Sequence, residues 1–245
     1  MKSTFKVAII IPAYNESNNI LKLIKKINYY LKSTIVIIDD SNNDFTKKIL
    51  SKTKIKNIIY IKRTKKLGRG SAVIEGFKKI FYNKQFKYFV EMDADLSHNP
   101  KELKRNLNTL HEKKIDLLIG SRYLKRSLII NWPLKRRIFS ILTNYLIRTL
   151  FRLDVNDCTN GFRFYSRRSV KSLLKKRYIN QDFIMLTEII LFLSKKKYKI
   201  VEVKSIFKNR TKGSSTINIK LILISLYCII KLFIIKKFDA KLFAL

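Results

Sequence analysis

The chain has 245 residues, of which 53 are Lys or Arg and 17 are Asp or Glu, so its formal net charge is +36. With 47% apolar residues, six Gly and three Pro, it is neither a disordered basic tail nor a collagen-like or low-complexity protein. Two cysteines exclude a disulfide framework and favour a reducing compartment, and two histidines exclude a multi-histidine zinc site.

The charge fits three kinds of partner: nucleic acid, an anionic membrane surface, or phosphorylated small molecules. It is equally compatible with a background of lysines that only face solvent. The sequence contains no zinc knuckle, basic-region heptad repeat or aromatic RNA-binding signature. We therefore expect no nucleic-acid partner.

The first half of the chain alternates short Val/Ile-rich strands with helical patterns. The predicted strands are 6–13, 34–40, 57–63, 88–92 and 115–120, and the predicted helices are 16–32, 46–54, 71–81 and 100–114. Alternation of this kind is typical of an α/β fold with a mostly parallel sheet and right-handed crossovers.

The second half continues with helices predicted over 135–151, 182–194 and 217–235, and with strands predicted over 162–165 and 199–208. A polar loop is expected at 154–161. The last helix is apolar nearly all round, but its uncharged core, 221–230, is shorter than the roughly 20 residues that span a bilayer. Insertion at a membrane surface, a partner interface and burial in the core all remain open for it.

Charged side chains follow the predicted strands at the points where these strands end: Glu16, Asp39, Asp40, Asp93, Asp95 and Arg122. Ligands of parallel sheets bind at the carboxyl ends of the strands. The sequence therefore predicts one site that gathers these carboxylates and the arginine.

Asp93 and Asp95 are the central pair, since two carboxylates at positions i and i+2 after a buried strand point the same way. Together they can hold a divalent metal, which prefers hard oxygen ligands and commonly bridges the diphosphate of a nucleotide. The alternative is a simple turn before Pro100, because Asp also favours strand-to-helix turns.

Three further features are compatible with a nucleotide site but also have ordinary structural interpretations. The Asp39–Asp40 turn fits a base or ribose contact, or a solvated turn. The glycines at 68 and 70 let the backbone approach a ligand, with Ser71 as a helix N-cap. Several arginines are candidate phosphate-binding groups or solvated charges: Arg122, Arg136, Arg163 and Arg210.

These motifs together resemble the inverting family 2 glycosyltransferases with a GT-A fold, and within them the dolichol-phosphate and polyprenol-phosphate mannose synthases. The resemblance lies in residues 11–16 (IPAYNE), 36–41 (VIIDDS), 92–100 (MDADLSHNP) and 120–123 (GSRY), and continues through 157–163 and 210–215. It covers residues 6–235, and the MDADLSH stretch is its most specific part.

The resemblance implies a GT-A catalytic domain over 1–216, with a nucleotide-sugar-binding half (1–123), an acceptor-binding half (124–216) and a membrane-associating helix over 217–245. It implies metal-assisted transfer of mannose from GDP-mannose to a polyprenyl or dolichyl phosphate. The expected location is the cytoplasmic face of the plasma membrane or endoplasmic reticulum, against an anionic surface, where a small membrane-anchor subunit is compatible. Transfer of glucose or an N-acetylhexosamine, or transfer to a non-lipid acceptor, is the alternative.

By motif, the resemblance assigns the nucleotide-sugar site to Pro12, Tyr14, Glu16, Asp39, Asp40, Asp93, Ala94 and Arg210. The ligands of Mg²⁺ or Mn²⁺ would be Asp93, Asp95 and Ser97. The acceptor phosphate would be held by Arg122, Arg136 and Ser140. Asp95 and Arg122 are the implied catalytic residues.

The sequence also departs from the family pattern. The turn after Asp40 lacks the usual Gly, and residues 209–216 lack the Asp and the closing Lys of that motif. Of a Phe-Gln-x-Glu pattern, only Glu188 is kept. These departures leave open which sugar is transferred, more than they affect the class of reaction that the resemblance implies.

Overall fold

The computed structural model describes residues 6–209 and 219–238. Its strands are β1 (Lys6–Ala13), β2 (Thr34–Asp39), β3 (Ile58–Lys62), β4 (Phe86–Glu91), β5 (Leu117–Ser121), β6 (Leu128–Ile130), β7 (Arg163–Ser166), β8 (Ile200–Lys204) and β9 (Ile206–Lys208). Its helices are α1 (Ser17–Tyr30), α2 (Phe45–Ser51), α3 (Arg69–Phe81), α4 (Leu103–Glu112), α5 (Leu134–Phe151), α6 (Arg167–Leu173), α7 (Met185–Lys195) and α8 (Ile219–Phe238). A 3₁₀ turn, Pro100–Glu102, precedes α4.

Seven strands form one sheet in the order β3-β2-β1-β4-β7-β5-β8. All neighbouring pairs are parallel except those of β7, which runs antiparallel to both β4 and β5. The predicted mostly parallel sheet is therefore confirmed. Because β7 and β8 come from the second half of the chain, both halves build the same sheet, and the carboxyl ends of β1, β2, β4 and β5 share one edge.

The sheet is buried on both faces, which explains why its central strands read as continuous apolar runs. Along β1, Ile9 and Ile11 pack on the layer of α1 and α4, whereas Ala8 and Ile10 pack on the layer that contains α3 and α7. Truncation of such a residue, for example Ile10→Ala, is expected to cost about 2–5 kcal/mol of unfolding free energy.

The second half differs most from the sequence-based expectation. The single strand predicted over 199–208 is two strands, because the chain turns at Ser205, whose amide donates to Ser121 O at 3.2 Å. The short elements β6 and α6 were not predicted. α6 has only seven residues and depends on an N-cap, in which Ser166 Oγ accepts the amide of Ser169 at 3.1 Å.

The last helix, α8, packs on α5. Ile229 and Leu232 are buried in the core, and Phe233 contacts Phe151 edge-to-face at 6.0 Å between ring centroids. Other apolar side chains of α8 are exposed: Ile224, Leu226, Tyr227, Ile230 and Ile234. In residues 6–209 and 219–238, no helix has the length and apolar character needed to cross a membrane.

Candidate functional site

Asp93 lies just beyond β4 and is held by Arg69, the first residue of α3. The Nε and Nη2 atoms of Arg69 both donate to Asp93 Oδ1, at 2.9 and 2.5 Å, and Nη1 donates to Glu91. Burial alone would raise the pKa of Asp93, but the charge and hydrogen bonds of Arg69, together with the charge of Arg122, hold it below its ordinary value. Asp93 is therefore an anion at neutral pH.

Asp95 and Ser97 complete the predicted metal-binding loop. Asp95 Oδ1 accepts the amide of Ser97 at 3.0 Å. The Ser97 hydroxyl is buried, and within the described part of the chain its Oγ has no hydrogen-bond partner. This buried hydroxyl and the carboxylates of Asp93 and Asp95 are hard oxygen donors. Together they fit Mg²⁺ or Mn²⁺.

No cluster of three or more His, Cys, Asp or Glu side chains suited to a metal ion occurs among residues 6–209 and 219–238. The donor set at this loop consequently comprises two carboxylates and a hydroxyl. The remaining ligands of an octahedral ion would come from water or substrate, as is usual for Mg²⁺.

His98 ties this loop to the rest of the site, a role that sequence reasoning missed. Its Nδ1 accepts the amide of Asp93 at 3.1 Å, which fixes the tautomer with the proton on Nε2. Nε2 lies 2.9 Å from Asn160 Oδ1, and the ring stacks on Phe162. The signal was present in the MDADLSH stretch, but a histidine there was not expected to be needed.

The two aspartates at the end of β2, Asp39 and Asp40, are buried, so the solvated-turn interpretation is wrong. Asp39 accepts the amide of Ser41 at 2.9 Å and the hydroxyl of Tyr60 at 2.9 Å. Asp40 forms a bidentate ion pair with Arg63. Both carboxylates shape the loop on the nucleotide side of the predicted site.

The other predicted nucleotide-site residues line the same edge. Pro12 pairs with Ile38 at the end of β1, and Ala94 is buried between the two aspartates of the metal loop. Tyr14 is 40% exposed, with Lys66 Nζ 4.1 Å from its ring centroid. Glu16 accepts a bond from Asn19 Nδ2 at 2.7 Å.

The glycine-rich turn before α3 packs against the protein rather than opening towards a ligand. Gly68 has φ of +95°, and a Cβ there would lie 2.5 Å from Gln181 O. A Cβ on Gly70 would lie 2.3 Å from Met185 Sδ. The predicted N-cap is also wrong, because the helix begins at Arg69 and Ser71 Oγ donates to Gly68 O.

On the acceptor side, Arg122 is buried and held by Asp157. Its Nε and Nη2 donate to the Asp157 carboxylate at 2.8 and 2.7 Å, and Nη2 also donates to Thr159 Oγ1 at 2.7 Å. Burial alone would lower the pKa of Arg122, but Asp157 raises it above its ordinary value. The guanidinium also lies over Trp132, with 5.2 Å to the ring centroid.

Ser140 is linked to this arginine through Tyr123. Tyr123, which stacks on Arg122, donates its hydroxyl to Ser140 Oγ at 2.6 Å. Arg136 is four residues before Ser140 on α5, which places it one helical turn away on the same helix face. The assignment of Arg136 to the acceptor phosphate stays a prediction.

For two of the arginines that were candidates for binding phosphate, the structure gives no support. Arg163 is fully buried, and its guanidinium donates to the backbone carbonyls of Cys158, Asn160 and Leu186. It is a structural residue, so its interpretation as a phosphate-binding group is wrong. Arg210 lies outside the described residues.

Comparison with known proteins agrees with this geometry. The model of glycosyl transferase family 2 matches residues 8–174. The chain is 36% identical over 228 residues to a dolichol-phosphate mannosyltransferase of Pyrococcus furiosus, which covers 89% of this chain and 60% of that protein. It is 28% identical over 219 residues to a polyprenol monophosphomannose synthase of Mycolicibacterium smegmatis, covering 88% of this chain and 82% of the relative. The chain thus spans less than two thirds of the length of the Pyrococcus relative.

Among solved structures, the fold is similar to that of glucosyl-3-phosphoglycerate synthase from Mycobacterium tuberculosis, crystallised with Mn²⁺, UDP and phosphoglyceric acid. The TM-score is 0.68 at 14% sequence identity, over 96% of this chain and 79% of the other. This similarity confirms the α/β GT-A fold. With the family match over most of the sequence, it follows that the chain belongs to glycosyl transferase family 2.

Proposed function

We propose that this chain transfers a monosaccharide, with inversion, from a nucleotide sugar to a polyprenyl or dolichyl phosphate. The donor we assign is GDP-mannose. The observation that carries the proposal is the proximity of Asp93, the first carboxylate of the metal loop, to the buried arginine Arg122 at the carboxyl edge of the sheet. The names of the Pyrococcus and Mycolicibacterium relatives support both the sugar and the lipid acceptor.

The chemistry requires little from a general base. A phosphate monoester acceptor is already anionic at neutral pH, so it can attack the anomeric carbon without giving up a further proton. Catalysis then consists of aligning the two reactants and neutralising their phosphate groups. Mg²⁺ or Mn²⁺, bound by Asp93, Asp95 and Ser97, would supply charge neutralisation at the diphosphate leaving group.

Arg122 is assigned to the acceptor phosphate together with Arg136 and Ser140. The ion pair with Asp157 uses Nε and Nη2 of Arg122, which leaves Nη1 as the donor that would reach a phosphate oxygen. Because Asp157 fixes the guanidinium before substrate arrives, no side-chain freedom has to be lost on binding. Asp157, which lies in the 157–163 motif, is in this view a positioning residue.

The nucleotide is assigned to the loops after β1 and β2. Tyr14 and Glu16 lie on the first loop, and Asp39 and Asp40 shape the second. With Pro12 and Ala94, they line the edge next to the metal loop. Arg210 is assigned to the donor diphosphate by its motif alone.

We further propose that the chain works at the cytoplasmic face of a membrane, with α5 and α8 against the bilayer. These helices pack together and expose large apolar side chains, including Leu134, Leu142 and Tyr145 on α5. Exposed Lys135 and Arg137 flank them, and this combination favours an anionic lipid surface. A small membrane-anchor subunit is the alternative occupant of the same face.

The test of the transferase function is metal-dependent transfer of labelled mannose from GDP-mannose into lipid-extractable product. Wild type is expected to need Mg²⁺ or Mn²⁺ and to stop on chelation. The transfer rate of Asp95→Asn is expected to be at least about a hundredfold below that of wild type, because a bound metal contributes several kcal/mol of transition-state stabilisation. Glu112→Gln, an exposed acidic residue at the end of α4, serves as the matched control and should remain active. Full activity of Asp95→Asn, or no transfer from any nucleotide sugar tried, would contradict the proposal.

A related donor is the second candidate function. The sequence differs from the family pattern at positions 185, 186, 209 and 216. These differences favour a different nucleotide-sugar donor over a different class of reaction. A panel of nucleotide sugars compared by thermal shift separates the two, since the true donor should raise the melting temperature most.

A further inference from the structure

Arg69 makes an unusual set of contacts for a residue in a glycine-rich turn. All three nitrogens of its guanidinium donate to acidic side chains, Nε and Nη2 to Asp93 Oδ1 and Nη1 to Glu91. Its side chain is only 10% exposed. Asp93 is the first carboxylate of the metal loop, so a fixed positive charge is bonded directly to a residue assigned to a divalent cation.

Four chain segments position this arginine. Glu91 is itself fixed, since its Oε2 accepts the hydroxyl of Tyr165 at 2.7 Å. The Arg69 amide lies 3.4 Å from Asp182 Oδ1, at the start of the segment that leads into α7. Gly161 leaves the space for the guanidinium, because a Cβ there would lie 1.9 Å from Arg69 Nη2. The contact is therefore built into the fold and is not a casual surface ion pair.

The electrostatic consequence follows from the charges alone. A monovalent cation that shares Asp93 Oδ1 repels a divalent ion and occupies lone pairs that the ion would use. The anionic diphosphate of a donor reverses this balance, because it attracts both cations. Since the site is largely shielded from water, these interactions are stronger than at an exposed position.

We propose that Arg69 is a resident counter-ion of the metal loop: it competes with the divalent cation for Asp93, so that metal binds weakly alone and tightly together with a nucleotide diphosphate. This inference rests on the proposed metal-dependent function. It assigns to Arg69 the coupling of metal binding to donor binding.

The test is titration of the purified full chain with Mn²⁺ alone, followed by water-proton relaxation, and again with GDP present. Arg69→Met keeps an apolar stem but removes the charge, and it is expected to bind Mn²⁺ alone about tenfold more tightly than wild type. The tightening of Mn²⁺ binding by GDP should be smaller in Arg69→Met than in wild type. Arg105→Met, a half-exposed arginine on α4, is the matched control and should behave as wild type.

Arg69→Met leaves the carboxylates of Glu91 and Asp93 without their ion-pair partner, which could prevent folding. A second variant covers this case. Gly161→Ala keeps every charge but must displace the flexible end of Arg69, so it should also tighten binding of Mn²⁺ alone. Suppose that Asp93→Asn loses Mn²⁺ binding, while folded Arg69→Met and Gly161→Ala bind Mn²⁺ no more tightly than wild type. This result would overturn the counter-ion inference but not the assigned metal site. Equal Mn²⁺ binding by wild type and Asp93→Asn would instead overturn the assigned metal site, and the inference with it.

Discussion

The nucleotide side and the acceptor side of the site are stabilised in different ways. On the nucleotide side, the strand-end carboxylates are neutralised inside the protein, Asp40 by Arg63 and Asp93 by Arg69. On the acceptor side, one buried ion pair, Arg122 with Asp157, lies beside helices whose apolar side chains face outward. Substitutions that break these buried ion pairs of the nucleotide side should therefore reduce folding stability and function together. Substitutions on the outer face of α5 and α8 should separate the two.

The largest effect is expected from breaking the buried pair of the nucleotide side. Arg63→Met leaves Asp40 charged and unpaired, and loss of one partner of a buried pair typically costs about 3–5 kcal/mol of unfolding free energy. Denaturant unfolding measures it. Arg168→Met removes an exposed partner of Asp116 and is the control, with an expected loss below about 1 kcal/mol. Equal losses in the two variants would show that burial does not set the cost.

On the acceptor side, the buried pair of Asp157 and Arg122 should make the free energy of unfolding depend on pH. Burial alone would raise the pKa of Asp157, but Arg122 lowers it, so the folded-state pKa lies below the unfolded value. Such a group contributes stability above its unfolded pKa, about 3.9, and that stability is lost as the pH falls through the lower folded value. Asp157→Asn should therefore flatten the decline of unfolding free energy below about pH 4. An unchanged acid limb would contradict the assigned pairing.

The outer face of α5 is expected to affect membrane binding without affecting folding. Leu142 and Tyr145 are exposed, so replacing both by Ser removes little packing. Loss of two inserted apolar side chains should weaken sedimentation with anionic vesicles by about tenfold or more. Tyr82→Ser, an exposed tyrosine at the end of α3, is the control. Unchanged vesicle binding by the double variant would contradict a membrane contact through Leu142 and Tyr145.

The smallest effect on folding is expected from Ser97→Ala. The hydroxyl has no hydrogen-bond partner in the described residues, so its removal should leave the melting temperature unchanged or slightly raised. The Mn²⁺ concentration for half-maximal activity should nevertheless rise severalfold, because one oxygen ligand is lost. A fall in melting temperature with no change in the metal requirement would assign the hydroxyl a structural role.

The sequence predicted the fold well where each element carries its own signal. The bounds of β1 agree at both ends, because its apolar run begins directly after Lys6 and ends shortly before the polar residues Asn15 and Glu16. The strand 199–208 was wrong because the turn at Ser205 depends on a bond to Ser121, 84 positions away. Such a contact leaves no local pattern.

Family motifs named candidate site residues such as Asp93 and Arg122, and their assignment stays a prediction. Arg63, Arg69 and His98 were not predicted as site residues, because their contacts depend on partners from other segments. In a chain with 53 basic residues, nothing local distinguishes a buried arginine from a solvated one. Arg163 shows the opposite error, since a motif position is filled by a buried side chain whose guanidinium donates to three backbone carbonyls.

The proposed site is tested most directly by a crystal structure of the chain with GDP-mannose and Mn²⁺ bound. We expect Mn²⁺ in contact with the carboxylates of Asp93 or Asp95, with the diphosphate as a further ligand and Arg122 turned towards the acceptor pocket. Mn²⁺ bound away from both aspartates, or a nucleotide away from the carboxyl edge of β1, β2 and β4, would contradict the proposed site.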